Sequence, residues 1–183
     1  MKQGTLNVAA NSKKKQVVIV VMSGHLLLNF AGPADVFINA DKSLQASGSD
    51  SGYDVIIAAP TADRKVKTAS GMEIHCEFSA IDISTPIDTL IIAGNDFTEL
   101  HGQAYQPFFD WLLTIGEDNT RRICSVCGGA FVLAKAGLLN GRKATTHWEL
   151  SARLKKNYPL VKVDARSFFM TDGRSAEHTF ELQ

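Results

Sequence analysis

Residues 17–22 read Val-Val-Ile-Val-Val-Met, an apolar, mostly β-branched run with no polar residue to alternate with. A strand with one wet face would alternate. This run therefore predicts a strand buried on both faces, which needs helices above and below it and hence a parallel sheet. Similar runs at 53–59, 89–93 and 122–126 predict further buried strands. Between them, helical spacing extends from Pro33, expected as a first helical residue, through Val36, Phe37, Ala40 and Leu44. It recurs over 104–115, where Phe108, Trp111 and Leu112 form a stripe that reads as core, over 128–136, and over 148–156. The segment 47–52 is loop by composition, 66–68 and 72–75 suggest a hairpin, and 160–163 and 167–170 suggest short strands. Strand alternating with helix predicts an α/β chain with a doubly wound, mostly parallel sheet flanked by helices.

At 183 residues and 45% hydrophobic, the chain suits one domain with a sizeable core. That domain is expected over 17–173, after a disordered leader at 1–16. The leader holds Lys2, Lys13, Lys14 and Lys15 and no acid. The other 167 residues carry 15 basic and 19 acidic side chains, a net of −4. A body of that sign is a poor partner for phosphate, so nucleic-acid binding by this domain is not expected. No stretch approaches the roughly twenty apolar residues of a membrane span, and Asn7, Asn11 and Ser12 break up any secretory signal. A reduced, cytoplasmic protein with no membrane partner is expected.

The three cysteines are Cys76, Cys124 and Cys127. Cys124 and Cys127 form a C-x-x-C, but the second ligand pair of a structural zinc site is missing. Cys124 reads as a buried strand residue. Cys127 is different, because Ser125-Val126-Cys127-Gly128-Gly129 sets a thiol between a buried strand and a helix, with small residues two before and two after it. That is the spacing of a nucleophile elbow, where a sharp turn exposes the side chain and flanking bulk would clash. A helix start also favours thiolate, so an exposed, acidified thiol is expected. Open parallel sheets gather function beyond the carboxyl ends of their strands, which adds Ser23-Gly24-His25 and Gly94-Asn95-Asp96 to the neighbourhood. The Gly128 N–H could serve an oxyanion, helped by the backbone after Gly94.

The remaining candidates are weaker. His25 could line a pocket mouth, but an exposed loop histidine is the slightly favoured expectation. His75, His101 and His178 lack second donors at ligand spacing, so no metal is predicted. Asp35 and Glu149 suit helix starts. No glycine-rich phosphate loop follows a strand, and no cofactor is predicted.

Four stretches carry a family likeness: SGHLLLNFAGPADVF (23–37), TLIIAGN (89–95), ICSVCGGAFVLAKAGLLNGRKATTHW (123–148) and VDARSFFMTDG (163–173). In these the chain resembles the ThiJ/PfpI group of the class I glutamine amidotransferase-like superfamily. It is most similar to the amidase-like N-terminal domain of AraC-type transcriptional regulators, with isocyanide hydratase as an enzymatic cousin. The resemblance implies a flavodoxin-like fold with Cys127 at the elbow. In hydratase-like members an aspartate faces that cysteine as acid/base partner; here the matching residue is Asn29, which cannot cycle a proton near neutral pH. The hydratase pattern favours threonine after the cysteine, where this chain has Gly128, and Asn95 replaces the second glycine of the oxyanion pair. His147 of the ATTHW run occurs in regulators and hydratases alike, and a structural or pocket-wall role is favoured. Regulators of this kind continue into a helix-turn-helix region, whereas this chain departs from the pattern at Arg174, so 174–183 is expected to be a divergent tail.

The expected function is that of a ligand-sensing, homodimerising domain of an AraC-type regulator. A small nitrogenous molecule would sit over Cys127 among Asn29, Gly94, Asn95, Gly128 and His147, and DNA would be bound only through a region absent from this chain. The alternatives are a cysteine-dependent hydrolase or hydratase and, more weakly, a sensor that oxidises at Cys127.

Overall fold

The structure is a computed structural model that describes residues 14–84, 86–94, 103–116 and 118–173, and the backbone of 175–178. In chain order its first elements are β1 (Lys14–Val21), α1 (Leu28–Ala46), β2 (Gly52–Ala59), β3 (Lys65–Lys67), β4 (Glu73–His75), β5 (Phe78–Ser79) and β6 (Ile87–Ala93). Then come α2 (Gln106–Leu113), β7 (Thr120–Val126), α3 (Gly129–Lys135), β8 (Lys143–Ala144), α4 (Trp148–Asn157), β9 (Lys162–Val163), β10 (Phe169–Asp172) and β11 (Ser175–His178). The main sheet has seven strands in the order β10-β11-β7-β6-β1-β2-β5. All its neighbours run parallel except β10 and β11.

This is the doubly wound α/β architecture that the strand runs predict. Val17 to Val21 are wholly buried, and the alternation missing from the sequence exists in space. Val17 and Ile19 point to the α1 side with Ala34, Ile91, Ala93 and Val126. Val18, Val20 and Met22 point to the other side, where Leu90, Ile92, Phe108, Leu112, Phe131 and Leu154 build the larger core. Burying such side chains on both faces contributes about 1.5–3 kcal/mol each, which is why the central strands carry almost nothing polar. The expected core stripe of α2 is present, with the Trp111 indole donating to the Ile83 carbonyl at 3.1 Å. The hairpin expected near 66–75 is β3 paired antiparallel to β4. Among the described residues no helix is long and apolar enough to cross a membrane.

Three differences from the sequence expectation go beyond a shift of an element's ends by a few residues. β1 begins at Lys14, so residues 14–16 belong to the sheet rather than to a leader; residues 1–13 lie outside the described residues. The second difference is that α1 starts at Leu28 and holds Pro33 inside it. Early winding is secured by the Asn29 N–H on the Leu26 carbonyl (3.0 Å) and the Ala31 N–H on the Leu27 carbonyl (3.0 Å). Pro33 has no N–H for the Asn29 carbonyl, so the helix tolerates one missing rung in its second turn. Asp35 consequently lies past the first turn, whereas Glu149 is in the first turn of α4 as expected. Third, the backbone of 175–178, inside the segment expected to diverge, runs in register beside β7 from Ile123 to Val126.

The order places β1 between β2 and β6, with the chain leaving β1 first to one side and later returning to the other. That reversal opens a crevice at the carboxyl ends of β1 and β6, with β7 alongside, which is where ligands bind in sheets of this kind.

Candidate functional site

β7 ends at Val126 and α3 begins at Gly129, which leaves Cys127 and Gly128 to make the turn. Cys127 takes a left-handed backbone with φ 55°, a conformation that L side chains adopt at a cost of roughly 1–2 kcal/mol. The elbow spacing has a direct structural cause. A Cβ at Gly129 would strike the Ile92 carbonyl and lie 3.2 Å from the Ser125 Cβ, so residues 125 and 129 must both be small. A Cβ at Gly94 would lie 2.8 Å from the Gly128 nitrogen, 2.8 Å from the Val126 oxygen and 3.2 Å from Asn29 Nδ2. Gly94 is thus the place where the end of β6 presses against the elbow and against the first turn of α1.

Asn29, 5% exposed, donates its carboxamide N–H to the Cys127 sulfur, and the Gly128 N–H donates to the same atom. Three separate segments therefore meet at the elbow: the start of α1 and the elbow itself reach the sulfur, and the end of β6 packs against both. Thr146 adds a fourth contact, its hydroxyl donating to the Cys127 carbonyl at 2.8 Å and holding the strained peptide. Thr145 beside it donates to the Ser167 carbonyl at 2.8 Å. Sequence reasoning assigned Thr146 no role, because a contact across 19 residues leaves no periodic trace.

The electrostatic expectation for Cys127 needs correcting. Burial pushes its thiol above the usual cysteine range, outweighing the Gly128 N–H and the Asn29 carboxamide, which both pull it down. The thiol is half-buried rather than exposed. α3 spans only seven residues, so its dipole is short, and among the described residues no cation offsets desolvation at the sulfur. At neutral pH the sulfur is a thiol that accepts two N–H groups.

The other expected site residues lie as follows. Gly128 donates to the sulfur and Gly94 packs against Gly128 and Asn29, while Asn95 lies outside the described residues. His147 is the N-cap residue of α4 but makes no side-chain cap bond. Its ring packs on Trp148 and its Nδ1 stands 3.9 Å from a Glu149 carboxylate oxygen, so its contacts are with its own helix start. His25 is not an exposed loop residue: its ring is 1% exposed, donates through Nδ1 to the Met22 carbonyl and meets Phe30 edge-on at 5.2 Å. His75 is exposed on β4, His101 lies outside the described residues, and of His178 only the backbone is described. Cys124 packs on the α1 side of the sheet, and no disulfide joins Cys76, Cys124 or Cys127. Among the described residues no three His, Cys, Asp or Glu side chains gather as a metal site.

The DJ-1/PfpI family model matches residues 15–173. A Streptomyces lividans protein described only as uncharacterized is 35% identical over 145 residues, 79% of this chain and 95% of that one. The HTH-type transcriptional regulator GbdR of Pseudomonas aeruginosa is 39% identical over 111 residues, 61% of this chain. The match spans only 29% of that regulator's length. Among solved structures, an AraC family transcriptional regulator from Pseudomonas putida superposes with a TM-score of 0.71 at 19% identity. That superposition covers 90% of this chain and 83% of the other, a likeness of fold.

Proposed function

The chain belongs to the DJ-1/PfpI family, and from that premise we propose that it is a ligand-sensing, self-associating domain of an AraC-type transcriptional regulator. Its ligand is a small nitrogenous molecule seated over Cys127. The observation that carries this reading is the pairing of a neutral, half-buried thiol with the Asn29 carboxamide. A carboxylate there could take and return a proton; a carboxamide can only orient a partner. The site keeps the shape of a reactive centre while lacking its proton traffic, which suits binding better than turnover. The HTH-type relative and the AraC family structure support the regulatory assignment. DNA contact belongs to another part of such a regulator, because the body from residue 17 onward is net negative. Binding would act by differential affinity for two arrangements of a homodimer. Exposed Leu26, Leu27, Leu28, Val36 and Ile38 on and before α1 offer the apolar surface for self-association. A regulator of this kind works in the cytoplasm, and three cysteines without a disulfide are consistent with that compartment.

Thermal melting in the presence of small amides, amino acids and amines tests it. One class of compound should raise the Tm, and the Cys127→Ala or Asn29→Ala protein should lose that response. Indifference of the well-folded protein to every class would overturn the reading.

One observation favours a second reading, residual cysteine-dependent hydrolysis or hydration: the left-handed Cys127 places its sulfur at the Gly128 N–H, where an oxyanion could be held. That reading expects turnover to appear or rise in Asn29→Asp and to vanish in Cys127→Ser. An inert Asn29→Asp protein would end it.

A further inference from the structure

His25 sits in the segment between β1 and α1, four residues before Asn29. Its ring is 1% exposed and its Nδ1–H donates to the Met22 carbonyl. The other ring nitrogen, Nε2, is buried with no hydrogen-bond partner among the described residues. That pattern fits one protonation state only, the neutral ring with its proton on Nδ1. A second proton would place an N–H with nothing to accept it, and a full charge, in an apolar pocket. Desolvation already pulls the His25 pKa below the usual histidine value, against the bond to Met22, which raises it.

Among the described residues of the β3–β4 hairpin and the first half of α1, the charged groups all face solvent. On the β3–β4 hairpin, which covers the loop, Lys65, Lys67, Glu73 and His75 are all exposed. On α1, Asp35 is exposed as well. Cys76 is buried near Phe30, and burial pushes its thiol up, so it is neutral at physiological pH. Among the described residues His25 makes no ion pair.

The loop is tied down on both sides of the ring. The Gly24 N–H donates to the Lys67 carbonyl at 2.8 Å, and the Ala69 N–H donates to the His25 carbonyl at 3.0 Å. Beyond it the Asn29 N–H reaches back to Leu26, and Phe30 packs against both His25 and the apolar cluster that includes Cys127. A chain of contacts thus runs from the His25 ring through Phe30 to the neighbourhood of the sulfur on which Asn29 donates.

We propose that His25 is an acid-operated latch on the Cys127 site: a proton taken up at Nε2 loosens the β1–α1 loop and draws Asn29 off the sulfur. The inference rests on the Asn29–Cys127 contact as the seat of the proposed ligand, but not on the ligand's identity. The sign follows from linkage. The unfolded histidine binds its proton near pH 6.5 and the folded one only at lower pH, so stability is full above about pH 6.5 and is lost as pH falls below it. The loss stops once the folded ring is also protonated.

The test uses the full chain labelled with nitrogen-15, as wild type and as His25→Phe, titrated from pH 7.5 to 5. Ring spectra of the wild type should show Nε2 unprotonated at pH 7.5 and a His25 midpoint below that of a free histidine. The Asn29 side-chain amide signals should move with that same midpoint and stay still in His25→Phe, whose Tm should also fall less on acidification. If His25→Phe does not fold, coincidence of the two midpoints in the wild type decides alone. An ordinary histidine midpoint overturns the proposal. So does an Asn29 amide that is unmoved while His25 titrates, that moves equally in His25→Phe, or that moves only with global unfolding seen by far-ultraviolet circular dichroism. Failure of the latch with ligand-induced melting shifts intact refutes only the latch. Failure of every ligand with the latch intact refutes only the proposed sensing.

Discussion

Two junctions feed the site, one after β7 and one after β1, and they are built on different principles. After β7 the chain turns in two residues, and its shape follows from residues within reach of one another: Ser125, Cys127, Gly128 and Gly129. After β1 the chain takes six residues to reach α1, and its shape is set from outside by the β3–β4 hairpin and by a buried histidine. The first junction is a local steric solution, and the second is a tertiary one. Local pattern therefore locates the nucleophile position, while the group that faces it is placed by contacts made elsewhere.

Substitutions at the two junctions should separate these principles, and the largest effect belongs to the elbow. Gly129→Ala should destabilise the fold by about 3 kcal/mol in denaturant unfolding, because the new methyl meets the Ile92 carbonyl, which is backbone of a central strand and cannot move aside. A near-neutral result would show that the elbow is less constrained than the loop. Gly94→Ala should cost about 2 kcal/mol and disturb Asn29 as well, since both junctions meet at that Cα. Thr146→Val should cost about 1–2 kcal/mol by leaving the Cys127 carbonyl without its hydroxyl donor. Faster alkylation of the thiol would be its signature, as the strained peptide relaxes.

Asn29→Ala carries the comparison to the other junction. Removing a donor to the sulfur should push the thiol further up and slow its alkylation at neutral pH, with little loss of stability. Unchanged alkylation would mean that the loop does not tune the elbow. The smallest effect is expected at the opposite end of the sheet. There the Arg121 guanidinium, half-exposed, grips Asp88 through two bonds of 2.6 and 2.7 Å and holds its carboxyl below the usual range. Arg121→Ala should cost under about 1 kcal/mol, since an exposed pair is screened by solvent, and should leave thiol reactivity unchanged.

Much of the site was legible before any coordinates. Cys127 and Gly128 follow from spacing. Asn29 and Gly94 join them by family likeness or by lying past the end of a strand; in the structure Asn29 donates to the sulfur, and Gly94 packs on Asn29 and Gly128. His25 was misjudged because exposure in a loop is the default, and nothing within its own segment announces that a hairpin 40 residues later will cover it. Pro33 was misjudged for a related reason: proline at a helix start is favoured locally, and only the bonds from Asn29 and Ala31 to Leu26 and Leu27 show that the helix is already under way. The thiol's charge state was the third error. Helix-end electrostatics can be read from order along the chain, but desolvation depends on what the whole fold stacks around the sulfur.

What the chain's order of residues determined by itself is the layered sheet and the sharp turn at Cys127. Hydrophobic runs and small-residue spacing act through near neighbours, so they can be read without knowing what lies far along the chain. What only the tertiary structure decided is the chemical temper of that turn: a neutral thiol, a carboxamide poised on it, a threonine bracing it and a histidine with room for one proton. Each of these depends on bringing distant segments together and excluding water between them, and the free energy of a buried polar group is a property of that assembled environment, not of the residue.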